Sequence, residues 1–228
     1  MMDVAEGYGI AAMLEDYQRS FQLERWLHPT RFPEGMTPAL YRLLRSAKRT
    51  KEAVEVWLWE HLKLRNDAIP RDLESRWDLA FIGAEKIGDL QLYLGAYCES
   101  EAIARVILGS EVVALKQSIG EAVYHFVLYR VPLLSKLSVP LFPEAIQEKP
   151  SLPERIRQKG KWMLESLLAD APAALLERFV LQFPREWAWD FSHKPSREER
   201  TFCEGMAKII LEKVMALETQ DRGEKNPC

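Results

Sequence analysis

Residues Gly7, Gly9 and Ala12 carry the glycine spacing that lets a strand–turn–helix unit bring its backbone against a pyrophosphate. That chemistry needs a buried strand ahead of the first glycine. Residues Met1 to Glu6 cannot supply one, so the spacing predicts no cofactor site. The histidines His28, His61, His125 and His193 stand apart in sequence. Glu121 and His125 share one helix face, but a carboxylate-bundle metal site needs Glu-x-x-His pairs on two helices. Cys-x-x-Cys and His-Glu-x-x-His are missing as well, so no metal is expected. For His125 the expectation is a partly buried, hydrogen-bonded imidazole. Neither a Gly-x-Ser-x-Gly elbow nor a phosphate-binding Gly-x-x-x-x-Gly-Lys loop is present. Paired carboxylates such as Glu198 and Glu199 fall on charged helix faces, where solvation is their default role. No catalytic residue can be named, and the expectation is a protein that is not an enzyme.

Two other groups of residues could meet a partner. Arg42, Arg45, Lys48, Arg49 and Lys51 form a dense basic cluster that a helix could present to an acidic surface. The competing reading is a solvated face near a helix end, where positive charge is favoured anyway. Trp187 and Trp189 lie beside Arg185 and Glu186 in a connection. Aromatic residues so placed suit an interface, or the connection folds down and covers the core.

The elements that would hold these residues all read as helices. The most apolar stretch, Gly88 to Leu137, places Leu90, Leu94 and Tyr97 on one face. Ile103, Val106 and Ile107 form a second face, and Ile119, Val123, Phe126 and Val127 a third. Gly95 and Gly109 are expected where short helices meet or stop, with Ser100 and Ser110 capping the next ones. Around this core lie an amphipathic helix over Ile10 to Leu27 and one starting at Thr37-Pro38. Others are expected over Glu52 to Leu64, after a break at Asn66 to Pro70 over Arg71 to Ile82, and over Leu175 to Pro184. Trp57 and Trp77 take core spacing. Ser151 with Glu154, and Ser196 with Glu199, have the spacing of capping boxes that open two further helices. A proline-rich run (Pro140, Pro143, Pro150, Pro153) makes 138–153 the best linker candidate. The fold expected is all-α: a single compact multi-helix domain over 10–217 with a proline-rich internal connection and flexible ends at 1–9 and 219–228.

The totals exclude several classes. A net charge of −3 gives no general drive towards nucleic acid or an anionic membrane. Cys98, Cys203 and Cys228 are odd in number and far apart, which predicts a reducing compartment with free thiols. No basic N-terminal segment leads into an apolar run, and no apolar stretch reaches the ~20 residues of a spanning helix. A cytoplasmic monomer is expected.

The order of turns and apolar positions from 88 to 185 resembles the SctK/YscK family of bacterial type III secretion. Leu94-Gly95 is followed by Glu101-Ala102-Ile103, Arg105 and Ile107-Leu108, then by an apolar helical stretch and a proline-rich connection. Next come the glycine-containing helix Gly160 to Leu168 and a leucine-rich helix with Arg178 that ends at Phe183-Pro184. The resemblance implies a non-enzymatic adaptor without cofactors, at the cytoplasmic face of the injectisome and peripheral to the inner membrane. Its partners would be the forkhead-associated-like cytoplasmic domain of the inner-membrane ring protein and the pod (C-ring) protein of the sorting platform. Through the pod it would be tied to the stator and the export ATPase. The competing readings are a regulatory or chaperone-like helical protein that binds one polypeptide, and a small helical enzyme.

Overall fold

The computed structural model describes residues 27–64, 75–134 and 150–212. Every regular element among them is helical, as the 3.6-residue spacing predicts. The helix predicted to start at Ile10, the break at Asn66 to Pro70, both chain ends and the proline-rich run up to 149 lie outside the described residues. Contacts group the chain into two compact units: Met1–Ala84 with Asp170–Trp189, and Glu85–Ala169 with Asp190–Cys228.

The first unit holds α1 (Pro38–Ser46), α2 (Lys51–His61) and α8 (Ala173–Leu181), with 3-10 turns at Pro29–Arg31 and Ser75–Phe81. Thr37 caps α1 as expected: its hydroxyl accepts from the Leu40 amide at 3.1 Å, and Pro38 fills the first turn, where no amide is needed. The Thr50 hydroxyl donates to the carbonyls of Leu44 and Ala47 and closes the tight turn into α2. The core of this unit joins Leu27, Phe32, Tyr41, Val54, Leu58 and Leu181. Gln182 fastens the Ser75–Phe81 turn to the end of α8 through a 2.8 Å bond from Nε2 to the Ala80 carbonyl. The sequence spacing predicts an α-helix over Arg71 to Ile82. Its described part is instead a 3-10 helix, yet Trp77 and Phe81 are buried as expected.

The second unit contains α3 (Ala84–Cys98, from Glu85 on), α4 (Ser100–Ala104), α5 (Gly109–Ile119), α6 (Glu121–His125), α7 (Leu152–Leu168) and α9 (Arg197–Ile210). A π-helical turn, Phe126–Arg130, continues α6. Apolar faces dictated by 3.6-residue spacing bury Leu90, Leu94 and Tyr97 of α3. They also bury Ile156, Met163, Leu164, Leu167 and Leu168 of α7, and Phe202, Met206 and Ile210 of α9. Both capping boxes form: the Ser151 amide donates to Glu154 at 2.8 Å and the Ser196 amide to Glu199 at 2.5 Å. Gly120, at φ 90°, makes the one-residue corner between α5 and α6.

Three expectations for the central stretch are corrected. Gly95 lies inside α3 rather than at a junction, because it is a contact point between helices. Ser100 and Ser110 fall within the first turns of their helices, and the cap positions go to Glu99 and Leu108, neither of which caps through its side chain. Ile107 is 87% exposed, because the chain leaves helical geometry after Ala104 and the spacing that pairs Ile107 with Ile103 no longer applies.

Candidate docking surfaces

The basic cluster follows from α1 and its exit. Tyr41 faces the core, so Leu43, one residue beyond Arg42, points to solvent, and the chain then runs through Lys48 and Arg49 to Lys51. Arg42, Lys48, Arg49 and Lys51 are exposed. Arg42 also donates through Nε to the Pro38 carbonyl at 3.3 Å. Arg45 differs. Its guanidinium binds Glu55 of α2 at 2.7 Å and its side chain is only 17% exposed. It ties α1 to α2 within the unit and contributes little to the outward face. Leu40 and Leu43 stand among these cations; Leu43 is 66% exposed.

The aromatic connection folds down. Trp189 meets Phe179 edge-on at 5.0 Å and Phe183 at 4.9 Å, while Trp187 stacks on Phe183 at 5.2 Å. Arg31 holds the backbone beneath them, donating to the carbonyls of Phe183 at 2.9 Å and Pro184 at 3.1 Å. Trp189 thus belongs largely to the packing of its unit, and Trp187 keeps one exposed edge.

Among the described residues no three side chains of metal-ligating type come together. His125 is exposed rather than partly buried; Glu121 lies 3.6 Å from it and also pairs with Lys116 at 2.8 Å. His193 rests against the Trp162 ring at 5.3 Å. Burial pushes the Cys98 thiol up to about 12 and raises that of Cys203 too, so both stay protonated and unreactive at neutral pH. Trp57, expected in the core, is exposed and stacks on His61 at 5.3 Å.

Two buried carboxylates are structural. Glu99, at the end of α3, accepts from Arg155 Nη2 at 2.9 Å and lies 2.5 Å from Lys159 Nζ. Burial works against its charge, but the bonds from Arg155 and Lys159 outweigh it and hold the carboxyl below its usual range. Glu165 on α7 accepts from the Asp190 amide at 2.6 Å, and burial raises its carboxyl despite that bond and the nearby Lys161.

Exposed apolar side chains are what sequence reasoning missed. Ile107 reads as part of a buried face, and Leu43 of α1 is exposed as well. In the second unit Ile107, Leu108, Tyr129 and Leu133 are all exposed. Their common signal is position next to a helix end, where the 3.6-residue pattern stops assigning faces.

The described residues are all helical or in connections between helices, and they carry exposed apolar and basic side chains. The model of the YscK family, described as YOP proteins translocation protein K, matches residues 13–217. The chain therefore belongs to the YscK family of type III secretion apparatus components, which is not a known enzyme family, and its partners are proteins of the injectisome. No curated protein and no solved structure matches it. Among the described residues no helix is long and apolar enough to cross a membrane.

Proposed function

We propose that this chain is a non-enzymatic adaptor that joins the cytoplasmic domain of the inner-membrane ring protein to the pod protein of the sorting platform. It works at the cytoplasmic face of the secretion apparatus, and through the pod it is tied to the stator and the export ATPase. The observation that carries this reading is the family match over nearly the whole chain, 13–217. A linker needs at least two contact surfaces. In keeping with this, exposed apolar residues occur in both units: Leu43 and Trp187 in the first, Ile107 and Leu133 in the second. A holdase with one dominant groove would concentrate them. The ring-facing surface in this reading is the basic one at Arg42, Lys48 and Arg49, with Arg45 supporting it from behind. The edge of Trp187, backed by Trp189, is the competing site.

The test is affinity purification of the full chain from its native host, with co-purifying proteins identified by mass spectrometry. Recovery of the ring and pod proteins together is expected. Recovery of one soluble polypeptide without either would favour the regulatory or chaperone-like alternative and overturn the adaptor.

A further inference from the structure

The basic surface of the first unit has an apolar centre. From Pro38 to Lys51 the chain carries Arg42, Arg45, Lys48, Arg49 and Lys51 and no acidic residue, although the whole chain is net −3. The structure removes Arg45 from the outward face by pairing it with Glu55. What remains outside is Leu43 at the middle of the solvent face of α1, Leu40 and Arg42 on its flanks, and Lys48 and Arg49 beyond its end. We infer that this face is a docking knob: Leu43, with Leu40, enters an apolar pocket whose rim is lined by carboxylates that meet Arg42, Lys48 and Arg49. The inference rests on the adaptor reading and names the chemistry of the surface that receives this face.

Charge complementarity selects the occupant. A second copy of the chain would bring like charges together across a symmetric contact and be repelled. An anionic membrane would satisfy the cations, but two leucines on a nine-residue helix offer far less apolar area than the continuous face of an interfacial helix. A pocket suits them better, because burying one leucine side chain is enough for a tenfold change in affinity. Cations at the rim steer the encounter and set its salt dependence.

The test uses the full chain against three purified probes: the ring protein's cytoplasmic domain, the pod protein, and phosphatidylglycerol vesicles. Leu43→Ser should weaken binding to the ring protein's cytoplasmic domain by tenfold or more, mainly through faster dissociation and with little dependence on salt, and should leave binding to the pod protein unchanged. The double reversal Lys48→Glu with Arg49→Glu should slow association with the ring protein's domain several-fold at low salt, and the difference should shrink at high salt. Arg105→Glu, an exposed single reversal in the second unit, is the control for charge reversal elsewhere and should bind like the parent. All variants should keep the parent's helix content and melt within ~2 °C of it. If the parent binds the ring protein's domain and both variants bind it equally well, or lose only the pod protein, this surface assignment is wrong while the adaptor stands. If the parent binds neither protein, the adaptor reading fails and this inference with it. Vesicle binding that the double reversal abolishes, with protein binding untouched, would replace the pocket by a membrane and overturn the proposal.

Discussion

Gly95 of α3 and Gly160 of α7 sit against each other at the point where the two helices cross. A Cβ on Gly95 would lie 1.8 Å from the Ile156 carbonyl oxygen and 3.0 Å from the Gly160 nitrogen. A Cβ on Gly160 would lie 1.9 Å from the Gln91 carbonyl oxygen. The neighbours are backbone, so they cannot swing aside. The approach is fastened by the Gln91 side chain, which donates to the Arg157 carbonyl at 2.8 Å. Alanine is the better helix former by about 1 kcal/mol, so propensity and packing pull in opposite directions here. Packing should win. Gly95→Ala and Gly160→Ala are each expected to destabilise by about 2 kcal/mol or more in urea unfolding, as the helices are forced apart. Gly88, on the same helix, has nothing within 4 Å of its Cβ position. Gly88→Ala should therefore stabilise by up to about 1 kcal/mol. The same sign at Gly88 and Gly95 would contradict the crossing.

Glu99 secures that crossing one turn further along. Its side chain is 7% exposed and neutralised by Arg155 and Lys159 of α7. Removing it leaves two cations facing each other in a half-buried site. Glu99→Ala should cost about 2–3 kcal/mol, the range for a lost hydrogen-bonded charge. Because this carboxyl is held below its usual range, its contribution is present above the unfolded value and lost as pH falls through the folded one. Acid titration of the parent should show that loss, and the variant should not. A parent and variant with parallel stability profiles below pH 5 would rule the account out.

Lys63 is the described non-glycine residue with positive φ, at 52°. It follows the last turn of α2, where its amide reaches the Glu60 carbonyl at 3.0 Å and the Leu64 amide reaches that of Trp59 at 3.2 Å. This is the left-handed ending that glycine adopts without a Cβ penalty. Lys63→Gly should stabilise the protein by about 0.5–1 kcal/mol, measured as a shift of the urea midpoint at unchanged slope. A loss of stability would mean that the lysine stem contributes packing beyond its backbone cost.

How much of this was legible depended on how local the cause was. Thr37-Pro38 and the two capping boxes were readable because a cap is satisfied within three residues of itself. The buried face of α3 (Leu90, Leu94 and Tyr97) follows from spacing alone, and the order of apolar and turn positions points to the family that the match over 13–217 establishes. What was hidden is tertiary. Gly95 looks like punctuation in sequence, and only the arrival of α7 some sixty residues later makes it a contact. Arg45 looks like its basic neighbours until Glu55 is placed opposite. Trp187 and Trp189 supported two readings equally. The contacts of Trp189 with Phe179 and Phe183 favour a cover over the core for that residue, while Trp187 stacks on Phe183 and keeps an exposed edge.

Glu165 gives the pH response opposite to that of Glu99. Its carboxylate holds the connection into α9 by accepting from the Asp190 amide, but burial raises its titration point. A carboxyl whose folded value lies above the unfolded value of 4.5 binds its proton more tightly in the native state. It therefore adds stability below that unfolded value, and the addition is lost as pH rises through the folded value. Lys161, 3.4 Å away, and the Asp190 carboxylate are the charges that face it, and they act in opposite directions. Glu165→Gln keeps a carbonyl oxygen for the Asp190 amide and removes the charge. At neutral pH the variant should be as stable as the parent or slightly more so. On moving from neutral pH to pH 5 the parent should gain stability relative to the variant. Thermal melts of both proteins across that interval measure the difference directly. A parent that loses ground to Glu165→Gln as the pH is lowered would show that the bond to Asp190, rather than burial, sets the titration of this carboxyl.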